Sequence, residues 1–563
     1  MKITELDKKL KDGEKLRVSI LSNFTIDALA KSLKEECLEE CIDTDIEISP
    51  YSQYAQQIVE KTSALYKFSP KIIFIILDIE NLLGDFFISP YSFDGNQREK
   101  VFNERFEEIE NLLKLLEKRI NSKIVVNSLL LPINSSKGIL ENKEEKGIKN
   151  LVGNFNKKLE NLAINDGQLF IFDTNNFCMK EGYSNFVDKR FSYIADMKLS
   201  TSAIKNLAKE YLAYIFPLES RTKKCLVLDM DNTLWGGIVG EVGIGGIKLG
   251  PNSDGKPFYD FQKKILELFE RGIILAINSK NNLDDAMEVI RNHKYMILKE
   301  NNFACLKINW QDKVTNMIEI AKELNIGLDS FVFIDDDPSN RELVKKFLPE
   351  VKVVDLPKEP ALYCGVLDEL KVFNLFNLTN EDLERGKMYV DQKKRNFLKD
   401  SLDDLNSFIE QLDVKYDILD DSKKEISRIA QITQKTNQFN LTTKRYSEEE
   451  ILKFIDSENF LVKSIRIKDK FGDYGLSGLA IIRKAKDFWE IDSFLLSCRV
   501  LGKKIEFSFI DEIKNDAKSQ NIKGIIARFI PTKKNSPAKA FLNEAGFKLT
   551  GEQGESKEYL FEI

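Results

Sequence analysis

Histidine is nearly absent from this 563-residue chain, where His293 is the only one. Any mechanism that needs an imidazole base therefore has one candidate, and its setting behind a helical pattern reads as a helix end where a cation is favourable. Cysteine is also sparse: the seven thiols, scattered from Cys37 to Cys498, lack paired metal-ligand spacing. That argues against a structural zinc site and reads as reduced thiols. Apolar runs such as Ile72 to Leu77 are too short to span a bilayer, and the charged start Met1-Lys-Ile-Thr-Glu lacks the apolar core of a signal peptide. The expected location is the cytoplasm, with no membrane partner. With 84 Lys+Arg against 90 Asp+Glu, the formal charge of -6 gives no overall attraction for nucleic acid.

What is present is a multidomain α/β pattern. Roughly one domain per 150 residues suggests three or four. Apolar runs at Leu16, Lys71 to Leu77, Lys123 to Val126 and Leu169 to Phe172 alternate with charged helical stretches, so residues 1–215 read as one α/β domain. A second α/β series over 216–360 has strands at Lys223, Gly272 to Ile277, Ser330 to Ile334 and Val351 to Val354. Residues 361–412 read as a helical connection. An α+β segment follows over 413–563, with strands at Phe460 to Ile467, Gly475 to Ile482 and Phe488 to Leu495.

The second series carries the chemistry. Cys225-Leu-Val-Leu-Asp229-Met-Asp231-Asn-Thr233 is a buried strand delivering two carboxylates at its carboxyl end. Alternate positions of an extended chain point the same way, so Asp229 and Asp231 can face one pocket as nucleophile and acid. A carboxylate attacks phosphorus when a cation offsets the repulsion, and magnesium suits that role. The alternative is an Asp-rich strand end that caps the next turn. Further along, Asn278-Ser279-Lys280-Asn281 offers a hydroxyl and amides to a phosphate oxygen, Lys313 can neutralise an aspartyl-phosphate, and Asp335-Asp336-Asp337-Pro338 is an acidic cluster suited to magnesium.

In order, Asp-x-Asp-x-Thr, Ser, Lys and Asp-Asp resemble the four motifs of the haloacid dehalogenase (HAD) superfamily. That resemblance implies Asp229 as nucleophile, Asp231 as acid/base, Thr233, Ser279 and Lys280 as substrate contacts, and Lys313 as the catalytic cation. It also implies a metal held by Asp229, the main-chain carbonyl of Asp231, and Asp335 or Asp336. No room exists for a large cap domain; Trp235 to Gly250 reads as a hairpin flap, which favours a large or carrier-borne substrate.

The longer run Leu228-Asp-Met-Asp-Asn-Thr-Leu-Trp-Gly-Gly-Ile-Val-Gly-Glu241 resembles the FkbH-like proteins (HAD subfamily IIIC). At the amino end, Ile20-Leu-Ser-Asn-Phe-Thr25 and Ser52-Gln-Tyr54 resemble that family's degenerate SGNH-hydrolase-like domain, and without a histidine there an esterase triad is not available. At the carboxyl end, Gln434 to Asn440, Asp469 to Asp473 and Ser497 to Gly502 resemble the family's GNAT-like acyltransferase domain. There Arg499 and Gly502 match the pattern that holds an acyl-CoA pyrophosphate, while Lys504 replaces the last glycine.

By the same resemblance, the activity converts 1,3-bisphosphoglycerate, a phosphorylated small-molecule donor, to a glyceryl thioester on an acyl carrier protein for polyketide-type biosynthesis. Cys498 is a candidate acyl carrier or a small buried strand-end residue. Asn278 and Asp337 stand where the resemblance leads one to expect Cys and Asn. The alternatives are an acyl-CoA-dependent GNAT acyltransferase with an ancillary HAD domain, or a HAD phosphatase of another substrate.

Overall fold

The computed structural model describes residues 15–164, 166–400, 405–532 and 534–563, with side chains throughout these except at 396, 397, 399, 400, 405, 406, 408, 409, 435, 498 and 553. The chain divides into two units: Met1–Thr222 with Lys371–Asn377, and Lys223–Leu370 with Leu378–Ile563. Among the described residues no helix is long and apolar enough to cross a membrane.

The first unit is built on a parallel sheet of β1 (Leu16–Ser22), β2 (Thr44–Ile48), β3 (Ile72–Ile76), β4 (Lys123–Asn127) and β5 (Leu169–Phe172), in the order β2-β1-β3-β4-β5. Its central strands are continuous apolar runs because helices cover both faces; β3 is buried at every residue. On one face lies the Gly95–Arg119 helix, started by a capping box between Asp94 and Gln97. It turns Phe102, Phe106, Ile109, Leu113 and Leu116 inward at helical spacing. On the other, Tyr211 of the Thr201–Leu218 helix stacks on Phe74 at 3.9 Å and donates to Asn127 Oδ1 at 2.7 Å.

The second unit opens with another parallel sheet: β6 (Cys225–Leu228), β7 (Ile274–Ser279), β8 (Phe303–Ile308), β9 (Phe331–Asp335) and β10 (Lys352–Asp355), in the order β10-β9-β6-β7-β8. The order reverses between β6 and β9, and it is at such a switch point, outside the carboxyl ends of the strands, that open α/β sheets bind ligands.

The expected hairpin over Trp235 to Gly250 is only half present. Gly236 and Lys248 do pair, with N–O distances of 3.0 and 2.8 Å, but between them lies a short helix, Val239–Gly246, broken at Gly243 (φ 66°). Its first N–H, that of Val239, donates to the Asp231 carboxylate at 3.1 Å. This cap from a residue eight positions back turns the chain where local alternation suggests extension.

The unit continues into a mixed sheet of β11 (Lys415–Asp420), β12 (Phe439–Asn440), β13 (Phe460–Asp469), β14 (Gly472–Lys484), β15 (Phe488–Leu496), β16 (Gly524–Phe529), β17 (Lys548–Gln553) and β18 (Ser556–Glu562), in the order β11-β13-β14-β15-β16-β18-β17. β15 and β16 run parallel and pair only over Phe488–Ile491. Beyond that they separate, and the chain's own Phe439–Leu441 enters the gap: β12 pairs with Leu495 and Leu496, and Leu441 takes one strand bond from each side (Leu441 N to Phe494 O, 3.0 Å; Ile530 N to Leu441 O, 2.8 Å).

The stretch expected as a helical connection, 361–412, is more than a tether. Tyr363 packs against Phe258 and Phe261 in the second sheet's layer, and Lys371–Asn377 groups with the first unit. The Asn380–Asp400 helix seats on both sheets of the second unit. Arg395 makes a two-pronged pair with Asp469 (2.6 and 2.8 Å), while a Cβ at Gly272 (φ 92°) would collide with the Asp382 carbonyl and one at Gly386 with the Phe269 ring.

Candidate active site

β6 ends in the sheet's interior and hands Asp229 and Asp231 to the switch point. The Asp229 N–H continues the ladder to Ile334 O of β9 at 2.9 Å, which sets its carboxylate beside that of Asp335. Between them stands Lys313, first residue of the Lys313–Leu324 helix and 1% exposed. It is hydrogen-bonded to Asp229, 3.0 Å from Asp335 Oδ2 and 2.7 Å from the Asn278 carbonyl. Burial works against its ammonium, but the charges of Asp229 and Asp335 outweigh that and hold its pKa above the ordinary lysine value.

One carboxylate oxygen each from Asp229, Asp335 and Asp336 lies within 4.8 Å of the others. Lys313 answers only part of this charge. Burial, then the neighbouring Asp229 and Asp335, push the Asp336 carboxyl up to about 7. Three crowded carboxylate oxygens with surplus negative charge fit a hard divalent cation such as magnesium. Arg341 holds the motif from behind, donating to the carbonyls of Asp335 (2.8 Å) and Asp336 (2.6 Å).

Asp231 stands outside this carboxylate group. Its side chain accepts from the Trp235 indole (2.8 Å), the Val239 N–H and Asn281 Nδ2 (2.9 Å). Burial raises its pKa against these bonds, which favours a protonated carboxyl suited to giving up a proton. Ser279 is buried at the end of β7 and Lys280 beside it is exposed. Thr233 is fully buried, and its hydroxyl has no partner among the described residues.

The two departures have structural jobs. Asn278 is fully buried, donating to the Lys313 carbonyl at 2.9 Å and accepting from Asn316 Nδ2 at 3.1 Å, so it braces the start of the lysine's helix. Asp337 caps the Pro338–Phe347 helix by accepting from Ser339 N at 2.8 Å. Asn and Asp serve that position about equally.

His293 is the C-cap of the Leu283–Asn292 helix. Contrary to the expected cation there, burial and then Lys299 lower its pKa. The Arg499–Gly502 turn and Lys504 lie between β15 and the Ile505–Ser519 helix. Gly502 (φ 77°) and Lys504 (φ 60°) both take the left-handed backbone region, so the lysine keeps the conformation a glycine adopts freely. The side chain of Cys498 lies outside the described residues.

Trp235, Asn316 and Arg341 were not singled out from sequence. Their partners lie four to thirty-eight positions away, and only the Asp231–Trp235 spacing offered a local signal.

Among curated proteins none matches this sequence. Among solved structures, the N-terminal part of the protein BF1531 from Bacteroides fragilis, containing a phosphatase domain and complexed with Mg, is similar at 28% identity and a TM-score of 0.60, over 66% of this chain and 99% of that one. About a quarter of the chain (26%) also matches the ribosomal-protein-S18-alanine N-acetyltransferase from Escherichia coli, at 11% identity and a TM-score of 0.22, over 94% of that chain. Residues 17–215 match the family model described as FkbH, N-terminal domain; with the likeness to the BF1531 fragment, this supports kinship with the FkbH-like family.

Proposed function

We propose that the chain is a magnesium-dependent HAD-type phosphatase that works on a phosphorylated glyceryl donor, 1,3-bisphosphoglycerate, whose acyl group goes to an acyl carrier protein. The observation that carries the phosphatase reading is the division of labour behind β6: Asp229 is held by Lys313 within the carboxylate group, and Asp231 sits apart with a raised pKa.

A bound cation would be held by Asp229, Asp335 and Asp336 and would offset the charge of the phosphoryl group. Asp229 attacks phosphorus, the bond from phosphorus to the leaving oxygen breaks, and Asp231 gives that oxygen its proton. Asp231, now a carboxylate, takes a proton from water; the hydroxide attacks the aspartyl-phosphate, releasing phosphate and restoring Asp229. Lys313 neutralises the nucleophile's side of the site throughout.

For acyl transfer, the carrier's thiolate attacks the carbonyl carbon of the acyl phosphate, the C–O bond breaks, and phosphate leaves. The remaining 3-phosphate ester is then cleaved at Asp229. Five of the chain's thiols offer little competition: burial pushes Cys37, Cys178, Cys225, Cys305 and Cys364 up.

Intact-mass measurement of a carrier protein incubated with the enzyme, magnesium and 1,3-bisphosphoglycerate tests this. A glyceryl adduct that becomes a phosphoglyceryl adduct in Asp229→Asn is the expected result. Phosphate release with no adduct would sink the carrier step and leave the phosphatase.

A further inference from the structure

The first unit holds a cavity of about 380 Å³ outside the carboxyl ends of β3, β4 and β5. Its wall is largely apolar, with Phe24, Leu130, Leu131, Phe177 and Leu207 among its residues. A concave apolar surface with a few well-placed polar groups is the usual form of a small-molecule site, and the polar groups decide which molecule fits.

Here the donors gather where β4 and β5 end. Asn127, the last residue of β4, is 3% exposed and lines the cavity. Its Oδ1 is taken by the Tyr211 hydroxyl at 2.7 Å, while its Nδ2 meets no acceptor among the described residues. Ser128, 5% exposed, also lines the cavity. It accepts from the Thr174 N–H at 3.0 Å and from Asn175 Nδ2 at 3.4 Å, and its own proton has no acceptor among the described residues. The Thr174 hydroxyl beside it is buried without a partner. Buried donors are costly to leave unanswered, so donors held in this way call for an acceptor from outside the chain.

An acceptor stands one strand over. Asp78, two residues past β3, takes the Asn81 N–H at 3.2 Å and Lys198 at 3.4 Å on Oδ1, and its Oδ2 accepts no hydrogen bond among the described residues. Neighbouring strands are ~4.8 Å apart, so this carboxylate and the donors of β4 border the same space.

The charges on the wall narrow the ligand further. Lys198 is shared by Asp78, Glu80 and Asp196, and the other lysine on the wall, Lys189, is exposed. A buried carboxylate would therefore lie beside surplus acid with no buried cation to answer it, which is costly. A neutral carbonyl oxygen has two lone pairs, enough for the Asn127 and Ser128 protons together. An ester would stop there, whereas a secondary amide also offers an N–H to Asp78.

We propose that this cavity binds a small aliphatic secondary amide, with its carbonyl on Asn127 and Ser128, its N–H on Asp78 and its hydrocarbon against the apolar wall. None of these residues belongs to the Asp229 centre, so the site stands or falls apart from the phosphatase reading.

Saturation-transfer NMR titration of the full chain tests this with three probes of similar length: N-propylbutanamide, its ester counterpart propyl butanoate, and heptanoate. The amide is expected to bind roughly tenfold more tightly than the ester or the carboxylate, the scale of one hydrogen bond to a charged group. Ser128→Ala should weaken the amide about fivefold. Leu131→Trp, at an exposed residue of the wall, should obstruct the cavity and abolish binding of the amide.

A melting curve confirms that each variant is folded. No binding of the amide, ester or heptanoate binding as tightly as the amide, or full amide binding in a folded Leu131→Trp or Ser128→Ala overturns the proposal.

Discussion

The two parallel sheets share strand number and direction, and each reverses its order beside its first strand, yet the two seams end differently. In the first sheet the seam between β1 and β3 is stitched by side chain and backbone: Asn23 donates to the Asp78 carbonyl at 3.0 Å and accepts from the Asp78 N–H at 2.8 Å. Its acids are shared by one lysine, since Lys198 reaches Asp78, Glu80 and Asp196 at 3.4, 3.1 and 3.0 Å. In the second sheet a backbone bond, Asp229 N–H to the Ile334 carbonyl, crosses the corresponding seam, and Lys313 reaches two of three converging carboxylates. A switch point supplies a crevice; whether its polar groups satisfy one another decides if it has chemistry left to offer.

Substituting the matched acids is the strongest way to break that contrast. Asp229→Asn is expected to lower phosphate release by ~10³-fold or more, the scale seen when a nucleophile is lost. Asp78→Asn, which keeps a helix cap of about equal quality, should leave the rate within about twofold. Equal losses in a phosphate-release assay would erase the distinction between the seams.

The lysines provide a second comparison, read by denaturant unfolding. Lys313→Met leaves two buried carboxylates uncompensated and should cost about 3–5 kcal/mol. Lys198 has partners 20–59% exposed, so Lys198→Met should cost about 1 kcal/mol or less. A larger cost at Lys198 would mean that the first seam is the more strained.

Chelation sharpens the contrast from the ligand side. Chelator should abolish phosphate release and magnesium should restore it. Magnesium at 100-fold above its Kd should add about 2.7 kcal/mol to the stability of the second unit, visible as a shift in its melting transition. A shift in the first unit's transition instead would place the cation at the wrong seam.

The smallest effect concerns pH. His293 has a lowered pKa in the fold, so its unfolded form binds the proton more tightly. Its contribution is full above the unfolded value of about 6.5 and declines as pH falls through the folded one. The first unit contains no histidine. His293→Gln should therefore flatten the acid side of the second unit's melting profile between about pH 7 and 5. An unchanged slope would show that carboxylates alone set it.

What could be read from the chain alone followed the reach of its local signals. The strand-end placement of Asp229 and Asp335 was legible because apolar runs of this kind become buried parallel strands and the residues that follow them must emerge at one edge. The turn at Val239 was not, because its stabilising acceptor is a carboxylate eight residues back that also bonds an indole. The bracing of Lys313 through Asn278 and Asn316 was hidden for the same reason: the bonded residues are 35 and 38 positions apart. β2 escaped notice because Thr44-Asp-Ile-Glu-Ile48 alternates polar and apolar residues at a sheet edge and forms no apolar run.

The missing side chain at Gly272 has an evolutionary consequence. Backbone of the Asn380–Asp400 helix occupies the space a Cβ would need, and Gly386 grants the Phe269 ring the same room in return. Each glycine is required only while the helix and the turn before β7 stay packed together, so one contact constrains both positions. A recombination event that swapped the carboxyl-terminal sheet would have to cut after residue 400 and keep the helix, or replace the turn before β7 as well. The heritable module is thus the phosphatase sheet plus its helix, and descent should preserve that pairing even where the distal sheet drifts.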